Sequence, residues 1–464
     1  MKKITALILS LVLLILSLAS CDGGTEEIVG ADNPYKATDT VLETENFSYC
    51  RGELSIAFSQ YFDNFTYGNE NIDFYNIDTE TSLKDQIYYE DTTWFDYFAD
   101  TALSYMTDVL LLCEGAKEAG VELSDEDLEE INDAVNSFVR YANDYDYAEK
   151  EYFETRFGKD ADRDILREYY KKEALAIKYE NQLVESYTFT ADDLAKAVEK
   201  EKNAFYTIDY ISYTFDEDKD NDALYEAREL AKITDPAEFD SFIISYMTDD
   251  LGLNAEEITT KDCYKKCKYY DEYSEFSKKA FEDGAAAGLT YVKENQVDGQ
   301  YTVYLLTKAP ALRTEVTKNI RALAVATAKH DTDAKALTHA EELLSDWKEG
   351  EATEASFEKL VFEESDDAAA KTKGGLIEGL AVGDDLPEGL EDWLYSNDVA
   401  PGATEIFKDD VYYYVVYLCG DGEIKWERDA NALLVAEKYD ADHKELSDKY
   451  PVEQFEKVIN SLDK

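Results

Sequence analysis

The chain is 464 residues long, 45% hydrophobic and 32% charged, with a formal net charge of −57. That length and apolar content predict two to four globular domains with real cores rather than a disordered chain. The charge argues against nucleic acid and anionic lipid surfaces, whose phosphates would repel it, and favours basic or unfolded partners.

Residues 1–20 read as a targeting segment. Lys2 and Lys3 precede an apolar run from Ile4 to Leu18 that is short for a membrane span. Leu18-Ala19-Ser20-Cys21 resembles a bacterial lipobox. The resemblance implies that Cys21 becomes the first mature residue, carries lipid and anchors the protein at the extracytoplasmic face of a cell membrane. Residues 21–37 then form the lipidated cysteine and its tether, with Asp22-Gly23-Gly24-Thr25-Glu26-Glu27 as a flexible stretch.

Residues 38–203 carry helical patterns. Thr93 is placed to cap a long helix bearing Trp94, Tyr97, Phe98, Leu103, Met106, Leu110 and Cys113 on an apolar stripe, with Gly120 ending it. Ser124 before Asp125, Glu126 and Asp127 reads as a second N-cap with an acidic first turn. A further helix runs from about Arg163 to Ser186, and Thr190 with Asp193 starts one more that ends near Asn203. The aromatic stripes read first as core.

Residues 204–312 open with a strand candidate, Tyr206 to Phe215, and a helix through Leu224, Ala227 and Leu230. Phe276, Ala280 and Phe281 share a later helix, and Asp298-Gly299 is a hairpin turn into Tyr301–Leu306. The acidic stretch Asp216–Asp222 has no central glycine or closing glutamate for a calcium loop, and reads as a solvated turn. Five cysteines besides Cys21 are too sparse and odd in number for a disulfide framework, and read as buried or paired thiols. Cys263 and Cys267 lack the further ligands zinc requires, since no histidine precedes His330; no metal or other cofactor is expected.

Residues 313–425 are the most telling. A strand, Ile320–Ala326, leads to a helix from Asp331 to about Glu349 that stops at Gly350, then a helical piece around Phe357. There follow Ser365-Asp366-Asp367, Gly374-Gly375-Leu376, a helix through Leu390, Trp393 and Leu394, Pro401-Gly402, and a β-rich run Val411–Leu418. This order resembles a parvulin-type peptidyl-prolyl isomerase domain. The resemblance implies an apolar wall at Leu386, Leu390 and Tyr395 that holds a prolyl peptide beside a polar network. In that family two histidines and a Cys or Asp form the network. Here their positions fall on Ala324, Tyr414 and Asp367, so only Asp367 and Tyr414 remain as candidate catalytic groups.

Residues 204–312 are similar to a more divergent copy of the same domain. Gly288 matches Gly402, Thr290 matches Thr404, Phe281 matches Tyr395 and Thr302 matches Tyr414, and neither family histidine can be present there. The helical lobe ahead of them is similar to that of parvulin-containing extracytoplasmic chaperones of the PrsA and SurA families, in which such a lobe holds unfolded clients. Residues 426–464 read as a C-terminal helical extension with a break at Tyr450-Pro451.

The expected fold is therefore α+β: a helical chaperone-like lobe plus two parvulin-like domains, each a small antiparallel sheet flanked by helices. The expected function is a lipid-anchored chaperone or foldase binding unfolded exported polypeptides, without isomerase activity. An active isomerase using Asp367 and Tyr414 is the alternative from the enzyme class. A ligand-binding surface lipoprotein would call for repeated βαβ alternation, which the pattern lacks.

Overall fold

The computed structural model describes residues 34–67, 75, 77–78, 81–217, 222–254, 258–295 and 297–462. The targeting segment, the lipobox with Cys21, the tether through Glu27 and the middle of the acidic stretch Asp216–Asp222 lie outside the described residues. The chain divides into two compact units, residues 1–188 with 435–464, and residues 189–434.

The first unit is built on helices α1 (Arg51–Tyr67), α2 (Trp94–Ala119), α3 (Asp125–Asp144), α4 (Glu149–Phe157) and α5 (Arg163–Ser186). Their ends follow local chemistry. Thr93 and Asp96 form a reciprocal capping box at the start of α2, Ser124 and Asp127 form another at α3, and Gly120 closes α2 at φ 70°. Helix α2 buries fifteen of its residues between Trp94 and Ala116, most of them in the core of this unit, and leaves Asp100 and Ser104 exposed.

The helical pattern did not reveal two small sheets in this unit. Strands β1 (Thr40–Glu43) and β2 (Ser48–Cys50) pair antiparallel, and β3 (Ile87–Tyr89) with β4 (Thr92–Thr93) forms a hairpin ahead of α2. A two-residue strand from the far end of the chain, Glu453–Gln454, pairs with β1. Arg51, 1% exposed, secures the same end: it pairs with Asp160 and donates to the Ser461 hydroxyl (2.9 Å) and carbonyl (2.6 Å).

The second unit opens with α6 (Ala191–Lys200), begun by a Thr190–Asp193 capping box, and a single helical turn, Lys202–Phe205. Two four-stranded antiparallel sheets follow. The first uses β5 (Tyr206–Asp216), β6 (Tyr264–Lys268), β7 (Thr290–Asn295) and β8 (Gln300–Leu312); its helices are α7 (Ala223–Leu230), α8 (Pro236–Asp249) and α9 (Glu275–Ala280). The second uses β9 (Val316–Ala326), β10 (Leu376–Leu380), β11 (Thr404–Lys408) and β12 (Tyr412–Ile424). Its helices are α10 (Asp333–Glu349), α11 (Glu354–Glu364), α12 (Ala368–Lys371) and α13 (Leu390–Leu394). Helix α10 begins after Thr332, whose side chain caps it, two residues later than the sequence pattern placed it.

The strand orders β6-β5-β8-β7 and β10-β9-β12-β11 have the same topology, each with its first and last strands adjacent at the centre. The architecture is thus α+β, with helices and small antiparallel sheets, as the sequence pattern indicated. Helix α14 (Lys425–Lys449) follows directly on β12. The five described cysteines are all free thiols, so the pairing entertained for them is absent, and Cys113 alone is fully buried.

Candidate functional site

Alternation along a strand sends successive side chains to opposite faces, and β9 uses both. Leu323 and Val325, with Tyr413 and Val415 of β12, pack against α10 and α11. The other face carries Ile320 and Ala322 with Val416 and Leu418, which pack with Leu390, Leu394 and Phe407. Ala324 and Tyr414 lie directly opposite one another on the two central strands. The positions that the parvulin resemblance assigns to two imidazoles are therefore cross-strand neighbours on the second face, one a methyl group and the other a phenol.

Tyr414 does not reach towards Ala324 for a partner. Its hydroxyl donates to Asp409 Oδ2 at 2.9 Å, and Asp409 Oδ1 accepts the amides of Val411 (2.8 Å) and Tyr412 (2.7 Å) in the β11–β12 turn. Burial opposes ionisation of Asp409, but the Tyr412 and Val411 amides and the Tyr414 hydroxyl together hold its carboxyl below its ordinary value. Burial, then the hydrogen bond and charge of Asp409, raise the Tyr414 phenol well above its ordinary value, so it is a neutral donor at physiological pH. Asp409 was not singled out in the sequence, although an aspartate two residues before the turn's amides is a recognisable turn signal.

Asp367 serves chiefly as a helix cap, accepting the Ala369 amide at 2.9 Å at the start of α12. Its neighbour Asp366 accepts the Ala326 amide (2.8 Å) and pairs with Lys329 (2.7 Å). Asp366 thus ties the α11–α12 segment to β9, whereas Asp367 caps its own helix. Asp367 lies near enough to Tyr414 to add to the rise of its pKa, yet no hydrogen bond joins the two.

The apolar residues divide between wall and core. Leu386 and Trp393 are half-buried on the site face, whereas Leu390 is 3% exposed and lies beneath them. Trp393, on the apolar stripe of α13, lies tilted against Phe407 at 5.5 Å and belongs to this wall. Tyr395 is half-buried, and its hydroxyl is directed at the carbonyls of Leu380 (3.0 Å) and Val316 (3.2 Å). It stitches the backbone of β9 and β10 and leaves no free donor for a ligand. The loop carrying Leu386 is held at its base: Arg313 donates to the Val382 carbonyl at 2.5 Å, and Glu391 accepts the Gly383 amide at 2.5 Å.

The turn at Gly374-Gly375 fixes the site's far edge. Gly375 sits at φ 71°, and a Cβ there would lie 2.4 Å from the Ala322 carbonyl oxygen. Only glycine lets the turn approach β9 closely enough for the Ala322 amide to donate to the Gly375 carbonyl at 2.9 Å. The two histidines of this half, His330 just after the Thr327–Lys329 helical turn and His339 on α10, have ring centroids 5.2 Å apart.

In the first sheet, Thr214 stands opposite Thr302 as Ala324 stands opposite Tyr414, and their hydroxyls share a 2.9 Å hydrogen bond. The Gly288 amide donates to Leu306 at 2.8 Å just as the Gly402 amide donates to Leu418 at 2.8 Å. Among the described residues no group of three or more His, Cys, Asp or Glu side chains is arranged to hold a metal ion.

No curated protein matches the chain. Residues 320–419 match the family model described as the rotamase, PPIC-type PPIase domain. The match spans β9 to the end of the site-bearing part of β12 and takes in the glycine turn, the wall helix and the Pro401-Gly402 bend. Residues 320–419 are a PPIC-type peptidyl-prolyl isomerase domain of the parvulin kind.

Proposed function

We propose that the protein is an exported, lipid-anchored chaperone whose PPIC domain holds polypeptide segments without markedly accelerating prolyl isomerisation. The observation that carries this reading is the pair Ala324–Tyr414, in which one side chain has no polar atom and the other spends its hydroxyl on Asp409. Rotation about an X-Pro bond faces a barrier of about 18–20 kcal/mol, lowered by desolvating the imide and arranging hydrogen bonds around it. The wall of Leu386, Trp393 and Phe407 supports desolvation and binding. Little supports the electrostatic contribution, which is often the largest in enzyme catalysis. The residues 204–312, with a Thr214–Thr302 pair in the corresponding place, fit a second, divergent domain of the same kind. Anchoring rests on the lipobox-like Leu18-Ala19-Ser20-Cys21.

The test uses the chain from Asp22 onward. Exchange NMR on Ala-Pro and Glu-Pro peptides is expected to show line broadening from binding with no gain in cis/trans exchange, while light scattering of a refolding client falls at near-stoichiometric ratios. Exchange accelerated within the usual parvulin range, and lost in Tyr414→Phe, would establish the isomerase alternative with Tyr414 as its donor. Scattering no lower than with an inert acidic protein would remove the chaperone reading. For the anchor, Cys21→Ala is expected to abolish incorporation of a clickable fatty acid and release the protein from membranes.

A further inference from the structure

The first unit carries an exposed apolar surface unrelated to the PPIC face. In the β3–β4 hairpin, Ile87 is 60% exposed, Tyr88 43% and Tyr89 66%, so three consecutive large side chains face solvent. Single exposed apolar residues are ordinary, but a contiguous set held rigidly is not. Tyr88 is held: its ring lies 4.5 Å from Trp94 and 4.6 Å from Tyr97, both on the first turn of α2. The hairpin is thus an aromatic shelf fixed to the central helix rather than a loose loop.

Charge next to the shelf in sequence is predominantly acidic. From Thr81 to Asp100 the chain holds five carboxylates and a single basic residue, Lys84. Lys84 is engaged elsewhere, donating to the carbonyls of Asn460 and Leu462 at 2.7 Å each, with its ammonium 4.5 Å above the Phe95 ring. Glu90 and Asp91 form the hairpin's exposed tip, and Asp85 and Asp100 are exposed on either side of it in sequence. Partial burial and the charge of Asp96 hold the Asp100 carboxyl above its ordinary value, as expected where carboxylates crowd one another.

We propose that the β3–β4 hairpin is a docking surface for extended polypeptide segments rich in lysine and arginine. Such side chains lay an alkyl stem on apolar surface while their charged heads sit over aromatic faces and beside carboxylates, and the shelf offers all three features together. An acidic segment is repelled, and a purely aliphatic one leaves the carboxylates unused. A second copy of this chain is disfavoured as occupant, because each copy brings a net charge of −57. The inference deepens the polypeptide-holding reading by naming the class of client segment.

The experiment measures fluorescence anisotropy of three labelled, proline-free peptides with the chain from Asp22 onward: one carrying lysines, one with glutamates in their place, and one neutral and leucine-containing. The lysine peptide is expected to bind, to weaken with added salt, and to outbind the glutamate peptide by at least about tenfold. Tyr89→Ser and the double substitution Tyr88→Ser/Tyr89→Ser leave net charge unchanged and are expected to weaken the lysine peptide by about tenfold or more. Tyr89, the more exposed ring, supplies the variant that keeps the test open if the double substitution unfolds the unit by circular dichroism. Equal binding of lysine and glutamate peptides, unchanged lysine-peptide binding by Tyr89→Ser, or a dimer in sedimentation that Tyr89→Ser dissolves would each overturn the proposal. Client aggregation suppressed without lysine selectivity would sink this inference alone; loss of both would sink the polypeptide-holding reading as well.

Discussion

At the residue scale, Glu173 is a carboxyl held in the core of the helical unit. It is 2% exposed in α5, accepts the Tyr105 hydroxyl at 2.6 Å, and burial raises its carboxyl from 4.5 to about 7. The nearby Tyr49 and Tyr169 phenols are held well above their ordinary values by the same burial, so they are neutral throughout the physiological range. A carboxyl that binds its proton more tightly when folded favours the folded state at low pH. That advantage declines as pH rises from about 4.5 to 7, and above 7 the unit bears the full cost of a buried charge. Glu173→Gln keeps an acceptor for Tyr105 and removes the ionisation. We expect it to stabilise the helical unit at pH 8 by on the order of 2–3 kcal/mol, with little effect near pH 4. Urea denaturation followed by helical circular dichroism at both pH values measures this, and an equal shift at both would show that ionisation is not the cause.

At the scale of elements, the Gly374-Gly375 turn shows why a weak sequence motif carries structural weight. Gly375→Ala meets two penalties, a left-handed backbone at φ 71° and a methyl group 2.4 Å from the Ala322 oxygen. We expect a loss of at least about 2 kcal/mol in denaturant unfolding. Gly120→Ala is the control: it has φ 70° but nothing within 4 Å of the added carbon, and is expected to cost about 1 kcal/mol. Equal losses would mean the close approach to β9 contributes nothing. Glycines, capping boxes at Thr93, Ser124 and Thr190, and the apolar runs of β5, β9 and β12 were legible because each is a local signal. The small strands of the first unit were not, because β1 is completed by Glu453–Gln454, about the whole chain away, and two or three residues carry no period. Helix α8 was overlooked although Asp235-Pro236 is a cap followed by proline at the first helical position, which is a readable start signal. In the site, residue positions were legible but hydrogen-bond direction was not: only the fold shows that Tyr414 turns to Asp409, Tyr395 to two carbonyls and Asp367 to its own helix.

At the scale of the whole molecule, charge is the dominant fact. Even if each of the 46 basic residues paired with an acid, 57 of the 103 carboxylates would have no cationic partner. Many of the ion pairs that do form are exposed, such as Lys196–Asp192 and Lys335–Asp331, and pairs of that kind contribute about 0–1 kcal/mol each. Salt acts on both terms in opposite directions. It weakens the pairs, which lowers stability, and it screens repulsion among the excess carboxylates, which raises it. Because the excess outnumbers the possible pairs, screening should win. The Tm of the chain from Asp22 onward is expected to rise by several degrees between about 10 and 300 mM NaCl, where the Debye length falls from about 30 Å to below 10 Å. Lowering the pH from 8 to 5.5 at low salt is expected to raise it too, partly through Glu173, and the Glu173→Gln variant separates that residue's share from the collective one. A Tm that falls with added NaCl would mean that the few pairs outweigh the many unpaired carboxylates, and the charge excess would then have to be located away from the folded cores.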